Sequence, residues 1–150
     1  IAVASSGQFQ DTGAKRILLG KDSSANVISK SIARQGGTSN FRATIEIGKN
    51  ADGSKVHEEC DTLILDDYSY SDTIPHNIVN NSSSYLEHEA SVSKISEDQL
   101  FYLRSRGLSK TQATQRIVMG FLEPFSKELP MEYAVELNQL IKFDRTDSIG

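Results

Sequence analysis

Phe41-Arg42-Ala43-Thr44-Ile45-Glu46-Ile47 alternates apolar and polar residues without a break. Side chains on a strand repeat every two residues, so Phe41, Ala43, Ile45 and Ile47 share one face. Arg42, Thr44 and Glu46 take the other, the pattern of a half-buried strand. Outward from this stretch, short runs rich in Ile, Val, Thr and Ser fall at Lys15–Leu19, Asn26–Ile32, Lys55–Leu65, Thr73–Val79 and Tyr85–Ile95. Polar punctuation divides them: Lys21-Asp22-Ser23-Ser24, Gly36-Gly37-Thr38-Ser39, Lys49-Asn50-Ala51-Asp52-Gly53 and Asn80-Asn81-Ser82-Ser83. Short strands at a spacing of roughly 10 to 20 residues predict a sandwich, a barrel or a solenoid. There is no exact repeat. Single-faced strands of this kind suit a coil of stacked β-rungs, whose open ends need covering.

Past residue 95 the period changes. Ser96-Glu97-Asp98-Gln99 has the form of a capping box, with two acids in the first turn facing the positive helix end. That helix runs through Leu100-Phe101-Tyr102-Leu103 and should stop at Gly107, the usual residue for a left-handed cap. A second capping box, Ser109-Lys110-Thr111-Gln112, opens the next helix. Its apolar stripe is Ala113, Ile117, Phe121 and Phe125, with Val118 and Leu122 beside it. Pro130 suits the first turn of a third helix carrying Ala134, Leu137, Leu140 and Ile141. The tail from Asp144 to Gly150 reads as loose. Residues 1–95 are therefore expected to be all-β and residues 96–150 a helical subdomain.

Composition narrows the function. With 24% charged and 37% hydrophobic residues, the chain is neither disordered nor a membrane protein. The apolar run Ile117 to Leu122 is broken by Gly120 and too short for a bilayer. A net charge of −4, with Lys and Arg scattered singly, argues against a nucleic-acid groove. The one cysteine, Cys60, excludes an internal disulfide or a zinc ribbon built from this chain alone, and a free thiol fits a reducing compartment. The chain opens at Ile1 rather than Met, so a longer parent is expected.

Two places bear chemistry. Cys60, in Glu59-Cys60-Asp61-Thr62, is either a small buried hydrophobe or a thiolate ligand or nucleophile. Glu59 and Asp61 would raise the thiol's pKa if they came near, but alternation sends both to the face opposite Cys60. In Glu87-His88-Glu89, alternation groups His88 with Leu86, Ala90 and Val92, and sets Glu87 and Glu89 on the other face. His88 is then a satisfied core or interface histidine, or a ligand. His57 and His76 stand alone as surface residues. No serine triad, phosphate loop or two-histidine zinc helix is present, so no enzyme is visible.

Longer motifs are more specific. Cys60-Asp61-Thr62-Leu63, Thr73-Ile74-Pro75 and His88-Glu89-Ala90-Ser91-Val92-Ser93-Lys94-Ile95 together resemble the SufB/SufD family of iron–sulfur cluster assembly proteins. So do Glu97-Asp98-Gln99-Leu100-Phe101-Tyr102-Leu103-Arg104-Ser105-Arg106-Gly107, Gly120-Phe121 and Glu128-Leu129-Pro130-Met131-Glu132-Tyr133-Ala134. Ile28-Ser29-Lys30-Ser31-Ile32 and Phe41-Arg42 are similar to the family's β-region. Glu89 after the histidine, the presence of Cys60 and the Glu128–Ala134 stretch side with the SufB branch.

The resemblance implies a mainly β plus α fold, a right-handed parallel β-helix (β-solenoid) portion followed by a C-terminal helical subdomain. It implies the C-terminal part of a non-enzymatic, cytoplasmic scaffold that works with SufD, or a second SufB, and the ABC-type ATPase SufC, and that meets sulfur-donor and acceptor proteins. By the same analogy Cys60 binds a nascent, transient iron–sulfur cluster, with Glu87, His88 and Glu89 as neighbouring candidate ligands. The expected metal site joins Cys60 and Glu89 at a subunit interface, with Glu87 or His88 close by. An ATPase-docking surface is expected among residues 100–125, with Phe101, Arg106, Phe121 and Phe125 as candidates. Open strand edges also admit a homodimer. The alternatives are a SufD-like structural partner without its own cluster thiol and a β-solenoid carbohydrate-active enzyme. The latter would need clustered acids along one exposed face.

Overall fold

In the computed structural model, which describes residues 1–140, the front of the chain forms seven strands. They are β1 (Ala2–Ala4), β2 (Phe9–Leu18), β3 (Ser24–Ala33), β4 (Thr38–Ile47), β5 (Lys55–Ile64), β6 (Tyr70–Val79) and β7 (Tyr85–Lys94). All pairing is parallel, in two sheets ordered β1-β3-β5-β7 and β2-β4-β6. Phe9 lies beside Thr38, Thr38 beside Tyr70, Ser24 beside Lys55 and Lys55 beside Tyr85, so one circuit takes 29 to 32 residues. The strands stack as a parallel β-solenoid of about three turns, followed by three helices. Of the three architectures that strand spacing leaves open, the chain adopts the one that single-faced strands favour.

The alternation in β4 is realised in full. Phe41, Ala43, Ile45 and Ile47 are buried, while Arg42 is exposed and reaches back to Asp11. Among the described residues, apolar clusters pack in the interior. One holds Leu18, Ile45, Ile47, Ala51 and Val56; another holds Val27, Phe41, Ala43 and Cys60. The polar punctuation makes the corners. Gly37 is needed at one of them, because a Cβ there would meet the backbone of Ala4 and Ser5 at 2.6–2.7 Å. Pro75 has no N–H to give and sits in β6, the last strand of its sheet, where a proline is tolerated.

β5 and β7 start at Lys55 and Tyr85 as the residue pattern predicts, while β2, β3, β4 and β6 start earlier. β2 begins at Phe9 rather than Lys15, and β1 is not anticipated at all. The first half of β2 carries Gln10, Asp11, Thr12 and Gly13 and is largely exposed, so no apolar face marks it. Ser24, Thr38 and Ser39 read as punctuation but belong to strands, and Ser39 is fully buried.

The chain divides into two compact units, Ile1–Lys94 and the segment from Ile95 onward. The second contains α1 (Glu97–Ser105), α2 (Lys110–Glu128) and α3 (Met131–Leu140). The Ser96 hydroxyl accepts from the Gln99 N–H, and Ser109 forms both halves of its capping box. Gly107, at φ +94°, ends α1: its N–H bonds Arg104 O while Leu108 N–H bonds Leu103 O. In α2 the fully buried side chains are Ala113, Val118 and Leu122, whereas Ile117, Phe121 and Phe125 are half-buried. The seam thus starts at Ala113 of the expected stripe and continues through Val118 and Leu122, the apolar residues beside it. Pro130 precedes α3, its carbonyl accepting from Ala134 N–H. Ala134 and Leu137 are half-buried; the side chain of Leu140, Ile141 and the tail from Asp144 to Gly150 lie outside the described residues. Among the described residues no helix is long and apolar enough to cross a membrane.

Ile45 is 0% exposed at the centre of the solenoid, and Ile17 is 48% exposed on its outside. Ile45→Ala should cost about 2–5 kcal/mol through the cavity it leaves, and Ile17→Ala less than about 0.5 kcal/mol. Denaturant unfolding of the full-length chain measures both.

Candidate functional site

β5 reads Lys55-Val56-His57-Glu58-Glu59-Cys60-Asp61-Thr62-Leu63-Ile64, and its even-numbered residues Val56, Glu58, Cys60 and Thr62 face the interior. Parallel pairing with β7 sets Glu58 beside His88 and Cys60 beside Ala90. The consequence is a three-residue group: Glu58, Cys60 and His88 offer a carboxylate oxygen, a sulfur and an imidazole nitrogen within 4.8 Å of one another. Among the described residues this is the one such group that could hold a metal ion. Glu58 is 0% exposed, Cys60 2%, and the His88 side chain 24%.

The contacts within the group are directional. Cys60 Sγ donates weakly to Glu58 Oε1 at 3.7 Å. Glu58 Oε2 and His88 Nδ1 stand 2.9 Å apart, yet not along a hydrogen-bonding direction, and neither atom has a hydrogen-bond partner. Burial, and then the Glu58 carboxylate beside it, push the Cys60 thiol up from 9.0 to about 12, with Asp61 and Glu59 adding less. At neutral pH the sulfur is a thiol until something positive approaches it.

The other face of the same two strands carries a separate network. Lys30, buried in β3, donates to Glu59 Oε1 at 2.6 Å and to Asp61 Oδ2. Burial works against the lysine's charge, but the bonds to Asp61 and Glu59 outweigh it and raise its pKa above 10.5. Burial likewise disfavours the charged form of Asp61, yet Lys30 and Ser91 hold its carboxyl below the usual range. His57 lies 3.3 Å from Glu87 Oε2 and 3.8 Å from Glu59 Oε2, so it does not stand alone as its isolation in the sequence predicts. His76 is exposed.

Of the four residues singled out around the cysteine, Cys60 and His88 come together. Glu89 pairs in register with Glu59 and Glu87 with His57, both on the outer face, and Glu89 is exposed. The sequence motifs do not single out Glu58. Its signal is the spacing of two from Cys60, which shares a strand face, whereas Glu59 and Asp61 at a spacing of one do not. Among the docking candidates, Phe101 is 75% exposed and Arg106 is exposed, its guanidinium 5.7 Å from the Tyr102 ring centre. Phe121 and Phe125 are half-buried.

Comparison with known proteins adds an independent line. A family model described as SUF system FeS cluster assembly, SufBD core domain, matches residues 1–121. The chain is 57% identical over 150 residues to the iron-sulfur cluster assembly protein SufB of Bacillus subtilis (strain 168). It is 58% identical over the same length to an iron-sulfur cluster assembly SufBD family protein of Staphylococcus epidermidis. All of this chain is covered, but it spans about a third (32%) of the length of these relatives.

A buried thiol pushed up to about 12 makes a direct forecast. At pH 8 its thiolate fraction is about a thousandfold below that of a thiol at 9.0. Alkylation of Cys60 by iodoacetamide, followed by mass spectrometry of the peptide, should be slower in the native protein by at least about a hundredfold than in denaturant. Equal rates would contradict both the burial and the electrostatics.

Proposed function

The chain belongs to the SufB/SufD family of iron–sulfur cluster assembly proteins, and on that premise we propose that it is the portion of a scaffold subunit that anchors a nascent cluster through Cys60. The single observation that carries this reading is the meeting of Cys60, His88 and Glu58 beside β7, an edge strand whose outer side has no strand partner among the described residues. An iron–sulfur cluster normally takes four protein ligands, usually thiolates. This chain has one cysteine, so remaining ligands come from nitrogen and oxygen donors, from free thiols or from a second subunit closing over the edge. Cys60 and His88 act from the inner face; Glu87 and Glu89, on the outer face of the same edge strand, are the acids a partner would meet first. In this reading the partner is SufD or a second copy, the cluster is cargo rather than a resident cofactor, and the scaffold is not itself an enzyme. Sulfur donors and cluster acceptors visit it, in the cytoplasm.

The helices are proposed as the dock for the SufC ATPase. Supporting this, Phe101 and Tyr102 are both exposed on α1, and Phe101, Arg104, Ser105, Leu108 and Ser109 line a shallow pocket where α1 meets α2. One observation favours a second reading. Cys60 is only 2% exposed, which suits a SufD-like structural partner whose cysteine is core. The carbohydrate-active alternative lapses with the family assignment.

Two measurements test the proposal. In the full-length complex, Cys60→Ser should lower cluster yield on reconstitution with iron and sulfide by more than about tenfold, since even groups behind a metal ligand matter that much. Unchanged yield would remove Cys60 from the mechanism and leave the structural-partner reading. Separately, Phe101→Asp should weaken retention of SufC in a pull-down by about thirtyfold, the effect of losing one interface anchor of about 2 kcal/mol. Full retention by a folded variant would move the dock elsewhere.

A further inference from the structure

We infer that Glu58, Cys60 and His88 form a three-ligand pocket within one chain that takes a single ferrous ion ahead of sulfide. The inference rests on the cluster-assembly reading for the identity of the metal, but its ligand geometry stands by itself. Four observations lead to it.

Glu58 occupies an interior position that holds Val27 one coil away in the same register, between Val56 and Cys60 along the strand. A fully buried carboxylate at an apolar position is costly unless something answers its charge or fills its lone pairs. Inside this solenoid its two oxygens turn toward the two other ligand-bearing side chains, Cys60 Sγ and His88 Nδ1. That is the second observation: three different ligand types converge, joined only by the weak bond from Cys60 Sγ to Glu58 Oε1.

The third is the misalignment at 2.9 Å. Glu58 Oε2 and His88 Nδ1 are close enough to bond and do not, and both remain without a hydrogen-bond partner. Two ligand atoms this close, neither with a hydrogen-bond partner, leave a position within reach of both for a cation. With metal bonds of about 2.0–2.3 Å, an ion at that point reaches all three atoms after small side-chain rotations. The fourth observation is access. Cys60 and Glu58 are sealed, but His88 lies on the edge strand with part of its ring exposed, so the ion enters past the imidazole.

The donor set selects the ion. One sulfur, one nitrogen and one carboxylate suit borderline divalent transition metals, whereas Mg²⁺ and Ca²⁺ call for oxygen throughout. Three protein ligands also leave a coordination position open, as sites that must accept an incoming group do. On binding, the Cys60 sulfur exchanges its proton for the metal, the proton leaves to solvent, and no electron is transferred. Sulfide and a partner's ligand can then add to an ion already in place. Glu87 and Glu89 are on the other face and take no part in this first step.

The test uses the full-length chain, anaerobically, with Co²⁺ as the optical probe for Fe²⁺. The difference between wild type and Cys60→Ser should be one Co²⁺ per chain with a thiolate-to-cobalt charge-transfer band. Glu58→Gln and His88→Ala should each weaken that binding by more than about tenfold, and Glu89→Gln should leave it unchanged. Glu58→Val copies the residue one coil away. It should abolish Co²⁺ binding while leaving the metal-free melting temperature equal or higher, an outcome that a purely structural role for Glu58 does not allow. Wild-type Co²⁺ affinity in both Glu58 variants, or a loss in Glu89→Gln as large as that in Glu58→Gln, overturns the inference. If Co²⁺ binding persists in the Glu58 variants while Cys60→Ser still abolishes cluster yield, this inference falls and the scaffold reading stands. If Co²⁺ binding depends on Glu58 but cluster yield ignores Cys60, the scaffold role of Cys60 falls, and with it the identification of the ion as iron.

Discussion

Parallel, in-register stacking ties each interior side chain to a neighbour one coil before and one coil after it. Because the strands share register along whole ten-residue lengths, the face a residue occupies is decided for all coils together. A slip of one position in any coil would turn its entire apolar set outward. That constraint is why residues about 30 apart in the chain become chemical partners. Val27, Glu58 and His88 form one such column, and Ser29, Cys60 and Ala90 the next. The candidate site is where these two columns run side by side.

The same constraint separates charge into two unlike populations. On the outside, Glu59 and Asp61 are answered by Lys30, and Glu87 by His57, so the acids there form a connected network. On the inside, Glu58 sits beside Val27 in register and Cys60 two residues along, with one oxygen lacking any hydrogen bond. The Lys30 charge is buried but answered by two carboxylates, whereas a buried, incompletely satisfied carboxylate lowers stability. The group within reach is His88 Nδ1 at 2.9 Å, which answers the Glu58 charge only when protonated. On the proposed reading, a bound cation would answer it without that proton.

Fold class was legible because it depends on periods. The alternation through Phe41–Ile47 and the capping serines Ser96 and Ser109 report local geometry, and local geometry is what a sequence records most directly. The terminal coil was not legible. Its strand β2 lies open on much of its surface, so Gln10, Asp11 and Thr12 carry no alternation to detect. In α2 the expected apolar set contains the buried Ala113, Val118 and Leu122, but a stripe wider than the seam does not tell them from the half-buried Ile117, Phe121 and Phe125. At the site, the face shared by Cys60 and the separation of His88 from Glu87 and Glu89 follow from alternation alone. The meeting of Glu58 with His88 does not, because it depends on the length of the whole circuit, β6 and its two corners included, between β5 and β7. That length varies by a few residues from coil to coil without an exact repeat.

Sparse ligation has a physical logic for a site that must let go. Four thiolates hold soft iron–sulfide units tenaciously, while nitrogen and oxygen donors exchange more readily. On the proposed reading, a pocket with one sulfur, one nitrogen and one oxygen would localise an ion without keeping a finished cluster. Its sulfur is uncharged until a cation arrives, so the empty pocket presents no standing thiolate to oxidants or to stray alkylating agents. Its only exposed member lies on an edge strand that lacks a strand partner among the described residues. Closing that edge with another subunit would both add ligands and shut the entrance, and reopening it would reverse both at once. A single structural variable, occupancy of the β7 edge, would then govern loading and release together.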